Sequence, residues 1–138
     1  MHDDLQALNA LADDLDVAVL LLCQLKASYG SEPKLREPNV GDIFNGAVVE
    51  QESDVLMLVH REEYMLARRK PTVGQAGGTS QDINEWAFRM EKSKGRAQLL
   101  LNKRRSGPGY GSRTVGFHAA SQRFTDELPK EEFALMAS

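Results

Sequence analysis

Among 138 residues the sequence carries one cysteine, Cys23, so it can form no internal disulfide and no thiolate cluster for a structural zinc. That thiol sits in an apolar stretch, where cysteine ordinarily behaves as a small buried hydrophobe. Nor is there a run near the roughly 20 apolar residues that span a bilayer. The longest, Val17 to Cys23, is strand-sized. At the start, His2, Asp3 and Asp4 stand where a secretory signal would place basic residues before an apolar stretch. The expectation is a cytoplasmic chain with no membrane partner. Also missing is any GxxxxGK[ST] phosphate loop: Gly74 to Ser80 is glycine-rich without a lysine, and Lys92 and Lys94 lie outside such a context. No apolar strand ends in a magnesium-holding aspartate, since Val17 to Cys23 runs into Gln24 and Val55 to Val59 into His60. Lacking a phosphate cradle and a metal site, the chain is not expected to hydrolyse a nucleoside triphosphate unaided.

What is present is the composition of a globular domain, 41% hydrophobic and 27% charged. The length suits one domain with a core and is short for two. A net charge of −3 argues against a passive nucleic-acid coat. The basic residues nevertheless gather late, at Lys103, Arg104, Arg105, Arg113 and Arg123, which leaves room for a local phosphate-facing patch.

Leu5, Leu8, Leu11, Ala12 and Leu15 recur at helical spacing behind Asp3 and Asp4, so an amphipathic helix opens the chain. Val17 to Cys23 follows as a continuously apolar run, the pattern of a strand buried on both faces of a parallel sheet. Gln24 to Val40 dissolves into a polar loop with Gly30, Pro33 and Pro38. Asp42 to Gln51 is read as a short helical turn and an irregular connection, and Asp54 to His60 as a second buried strand. Residues 61–81 are expected to be a flexible excursion. Asp82 or Asn84 is placed to cap a helix that closes at Gly95. Arg96 to Arg104 and Ser112 to His118 then form a β-hairpin around Ser106 to Gly111 (SGPGYG), and residues 126–138 form a frayed tail.

Chemistry concentrates in Asn102 to Gly111, where a strand delivers three cations to a tight turn. Cations on a rigid turn can be aimed at phosphate oxygens with little ordering cost, although a solvated basic tip is the commoner meaning of such a segment by itself. Order along the chain adds more. DVAVLLLCQL (Asp16 to Leu25), REPNVGD (Arg36 to Asp42), EQESDV (Glu50 to Val55), REEY (Arg61 to Tyr64), KRRSGP (Lys103 to Pro108) and QRFT (Gln122 to Thr125) together resemble the DnaB-like hexameric replicative DNA helicases. The resemblance runs from Leu5 to about Thr125 and corresponds to the C-terminal half of that family's motor domain.

The resemblance implies an α/β fold: a partial RecA-like sheet of the P-loop NTPase type, with flanking helices and a C-terminal β-hairpin, over residues 1–125. It implies that Gln24 senses the γ-phosphate, that Arg105 is the arginine finger reaching a neighbouring subunit's nucleotide, and that Lys103 adds a second cation beside it. Cys23 stands where the family has serine, and Arg104 where it has an uncharged residue. A channel loop for single-stranded DNA maps onto Phe44, Asn45, Gly46 and Ala47, without the family's usual Arg-Glu pair; Phe44 either stacks on a base or, as the commoner case, packs beneath the loop. Glu50 and Gln51 match the family's EQ pair and are given a loop-positioning role. ATP and Mg2+ belong to the intact motor and no cofactor is expected for this chain alone; the implied partners are single-stranded DNA and other subunits of a hexameric ring. The alternative is a catalytically inactive remnant that binds DNA or joins a ring. A stand-alone hydrolase using His60 or His118 is a third and weaker reading.

Overall fold

A computed structural model describes residues 2–31, 35–72 and 79–126. Five helices and four strands are assigned there: α1 (His2–Leu15), α2 (Ala27–Ser31), α3 (Gly46–Glu52), β1 (Val55–His60), α4 (Glu62–Ala67), α5 (Ser80–Ser93), β2 (Arg96–Arg104), β3 (Gly111–His118) and β4 (Arg123–Thr125), with a 3-10 turn at Val40–Asp42. The strands form one sheet in the order β1-β2-β3-β4. β3 and β4 are antiparallel, Phe117 standing opposite Phe124. The chain divides into two units, Met1–Leu58 with Leu100–Ser112, and Val59–Leu99 with Arg113–Ser138.

In the first unit, α1 presents Leu5 to a core of Ile43, Val49, Leu56, Leu58 and Leu100, with Leu8 packed against it. The amphipathic spacing read from the sequence accounts for that face. Asn9 on the same helix donates to the carbonyl of Glu52 at 2.8 Å, tying α1 to the end of α3. The second unit is built on Ala97, Val115 and Phe117. Phe117 carries the Arg61 guanidinium 3.8 Å from its ring centroid and meets Phe124 edge-on at 5.0 Å. Arg61 thereby covers an aromatic face that would otherwise lie bare.

α4 and α5 pack together in this second unit. Trp86 donates its indole N–H to the carbonyl of Leu66 at 2.9 Å, and Arg89 grips Glu62 through Nε at 2.9 Å and Nη2 at 2.6 Å. The chain leaves α5 through Gly95, whose φ of 63° suits glycine at a helix end. Its N–H donates to Glu63 Oε2 at 3.0 Å and its carbonyl accepts from Phe117 N at 2.8 Å.

Several expectations are corrected. Residues 17–24 lie outside any helix or ladder of the described residues, and Val17, Val19, Leu20, Leu21 and Leu22 are exposed, the two leucines 20 and 22 at 89%. Cys23 is exposed with them. An apolar run records that a strand is fit to be covered on both faces, not which element covers it. β1 shows the same on a smaller scale: Leu56, Leu58 and His60 are buried while Val55, Met57 and Val59 stay open. Residues 46–52 form α3 and not an irregular connection, because Asn45 turns the chain in the left-handed region (φ 56°) ahead of the helix-compatible run Ala47 to Glu52. Within 61–81, Glu62–Ala67 is helical, and α5 begins at Ser80 behind a Thr79 cap where Asp82 or Asn84 was expected. The glycine-rich residues 73–78 and the tail at 127–138 lie outside the described residues. Among the described residues no helix is long and apolar enough to cross a membrane.

Candidate functional site

Two groups of the predicted residues are brought together, both within the first unit. The first joins the end of the apolar segment to the loop before α3. Leu25 and Ile43 form an isolated antiparallel bridge. On either side of it, Phe44 N donates to the carbonyl of Gln24 at 3.3 Å and Lys26 N to the carbonyl of Asp42 at 2.7 Å. Gln24 is exposed and Ile43, 2% exposed, anchors the loop in the core.

The loop's shape depends on Asp42. Arg36 meets it bidentately, Nη1 to Oδ2 at 2.6 Å and Nη2 to Oδ1 at 2.7 Å, and Asn39 N donates to Oδ2 at 2.8 Å. The Arg36 guanidinium holds the Asp42 carboxyl below its ordinary value, outweighing the opposing effect of burial, with Asn39 N and Lys26 adding to it. Lys26 Nζ donates to the carbonyl of Gly41 at 2.8 Å, and Tyr29 Oη to that of Arg36 at 2.9 Å. Sequence reading passed over this clamp, although the Asn39 to Asp42 spacing is that of a reciprocal cap. Arg36 lay too far off in a Pro- and Gly-bearing loop to be paired by periodicity.

Of the loop residues assigned to DNA, Phe44, Asn45 and Ala47 are exposed and Gly46 is buried. Phe44, expected to pack beneath the loop, is 63% exposed instead. The reason is register: Ile43 takes the inward position beside it. Gly46 N already donates to the carbonyl of Ile43 at 3.0 Å, so that amide is committed to the turn. A side chain is impossible there without movement, since a Cβ on Gly46 would lie 2.0 Å from the carbonyl oxygen of Val40.

The second group lies at the end of β2. Lys103 Nζ donates to the carbonyls of Glu50 and Gln51, the latter at 3.2 Å, and so closes the C-terminal end of α3 where the helix dipole favours a cation. That is how Glu50 and Gln51 acquire a positioning part. Arg105 begins the turn after β2. Its N–H donates to the carbonyl of Asp54 at 2.8 Å and its guanidinium meets Asp54 Oδ1 at 2.6 Å, with both side chains about two-thirds exposed, at 63% and 67%. An ion pair in that much water is worth about 0–1 kcal/mol. Arg105 can therefore exchange Asp54 for a stronger anion, while Lys103 is held by two carbonyls. Arg104 turns toward Gly107, whose φ is 109°.

Of the two histidines, His60 is buried at 5% and His118 is exposed on β3 opposite Arg123. Among the described residues no group of three or more His, Cys, Asp and Glu is placed to hold a metal ion.

In fold the chain is similar to a solved helicase ATPase domain, with a TM-score of 0.64 at 21% identity, over 91% of this chain and 36% of that one. This is a RecA-like ATPase architecture. The sequence pattern of the DnaB-like helicase C terminal domain matches residues 5–126, and the chain belongs to that family. It is 33% identical over 106 residues to the replicative DNA helicase DnaB of Rickettsia prowazekii (strain Madrid E), covering 75% of this chain and 20% of that protein. To the replicative DNA helicase DnaB of Treponema pallidum (strain Nichols) it is 27% identical over 124 residues, 90% of this chain and 20% of that one. The chain thus spans 20% of the length of these relatives.

Proposed function

We propose that this chain supplies one side of an ATP site in a ring-forming, ATP-dependent DNA helicase motor, the phosphate-gripping side coming from another segment or subunit. Gln24 is the γ-phosphate sensor, Arg105 the finger that stabilises charge developing on the transferring phosphoryl group, and Lys103 a second cation near it. Phe44, Asn45, Gly46 and Ala47 belong to the loop that faces single-stranded DNA. The residues fit ATP through the exposed and weakly held Arg105 guanidinium. They do not fit Mg2+, for want of a ligand cluster among the described residues, and no step is assigned to the metal.

One observation carries the reading: the backbone of Gln24 is hydrogen-bonded directly to that of Phe44. A sensor that moves when phosphate leaves shifts, through that bond and the Leu25 to Ile43 bridge, the loop that would hold DNA. Lys103 fits less directly than Arg105, since it must release α3 to reach a phosphate.

The test is complementation. Mixed with the upstream half of a DnaB-type motor domain, the chain should restore ATP hydrolysis stimulated by single-stranded DNA. Arg105→Ala should then lower the rate by about 10³-fold or more. Absence of restored hydrolysis, with DNA binding or inhibition of an intact helicase retained, would favour an inactive ring-joining or DNA-binding module instead.

A further inference from the structure

The second unit holds a cavity of about 380 Å³ beneath the C-terminal half of α5, to which Gln24, Lys103 and Arg105 contribute nothing. Its size is near the lower end of small-molecule sites, which run from roughly 300 to 1,000 Å³. Its walls are firm: His60, Ser93 and Ala97, which line it, are 5%, 7% and 2% exposed.

Charge and shape narrow the occupant. Arg89, Lys92 and Arg96 all face the cavity, and Glu62 is the one carboxylate in its lining. That carboxylate is gripped by Arg89 at 2.6 Å. With His60 neutral, three cations against one anion leave the lining positive in a chain whose net charge is −3. Low-dielectric walls focus such a field on an anion. Gln98 and Thr114 add neutral hydrogen-bonding groups. Phe88 both lines the cavity and is 68% exposed, so it forms the rim and offers a flat apolar face there. An inorganic anion would use the cations and ignore that ring. A phosphate joined to a planar base would use both.

We propose that this cavity binds a nucleotide, its phosphate held by Lys92 and Arg96 and its base against Phe88. The same chemistry is offered by a free nucleotide and by one unit of a single strand, and the experiment separates the two.

The intact chain is titrated calorimetrically with thymidine 5′-monophosphate, with inorganic phosphate and with a short oligothymidylate lacking terminal phosphates. Saturable nucleotide binding is expected. Lys92→Glu should weaken it about tenfold or more. Phe88→Ala should weaken the monophosphate about fivefold and leave inorganic phosphate unchanged. Arg123→Glu makes an equal charge change at an exposed position outside the cavity and should alter affinity less than about twofold. Tighter binding of the monophosphate than of the oligomer identifies a free-nucleotide site, and the reverse a strand site; both support the proposal. It is overturned if no saturable binding occurs or if Lys92→Glu and Arg123→Glu weaken binding equally. It is likewise overturned if Phe88→Ala has no effect while an oligoglutamate peptide competes. None of these results bears on the complementation assay, because the two sites share no residue.

Discussion

Asp42 decides the form of the loop between the candidate sensor and α3, because one carboxylate accepts from both arms of Arg36 and from the backbone of Asn39. Replacing it by asparagine keeps the shape and removes the charge, leaving Arg36 half-buried opposite a neutral amide. Asp42→Asn should cost about 1–3 kcal/mol at pH 7, less than for a fully buried pair since the Arg36 side chain is 36% exposed. The pH dependence has a definite sign. A folded-state pKa held down by Arg36 contributes stability that is present above the unfolded-state value, near 4, and is lost as pH falls through the lower folded-state value. Urea unfolding at pH 7, 5, 4 and 3 should show the gap between wild type and Asp42→Asn at full size down to about pH 4 and narrowing below it. A gap that does not change with pH would show that the carboxylate charge is not what holds the loop.

At the scale of elements, α5 begins with a reciprocal cap: Asp82 N donates to Thr79 Oγ1 at 3.2 Å, and Thr79 N to Asp82 Oδ2 at 2.7 Å. Thr79→Ala should lower stability by about 1 kcal/mol, and Thr79→Ser should come close to wild type. Faster amide exchange confined to the first turn of α5 would locate the loss there. This cap also shows what was legible in the sequence. Helices and strands whose pattern repeats locally, α1, α5, β2 and β3, are readable from spacing and punctuation alone. Features created by distant partners are not. Val17 to Cys23 reads as buried because local composition cannot say whether a covering element is present. Lys103 was legible as a cation at a hairpin, but its hold on the Glu50 and Gln51 carbonyls depends on contacts across about 50 residues. Arg105 stands where the hairpin pattern put it, and its partner Asp54 was invisible for the same reason.

For the molecule as a whole, the open apolar run at 17–22 and the bare face of β1 set its solution behaviour. Backbone outside any ladder, beside exposed leucines, is a template for association with further chains. The chain alone should therefore show concentration-dependent self-association by light scattering. Replacing Leu20 and Leu22, each 89% exposed, with lysine should reduce it without loss of helix signal. A wild-type chain that stays monomeric and monodisperse at every concentration would refute this. Trp86, the sequence's single tryptophan, is moored to Leu66 with Lys70 Nζ 5.7 Å from its ring centroid. The protein consequently carries a built-in optical reporter. Its intrinsic emission follows the detachment of α4 from α5, so melting of that helical pair can be watched without attaching a dye.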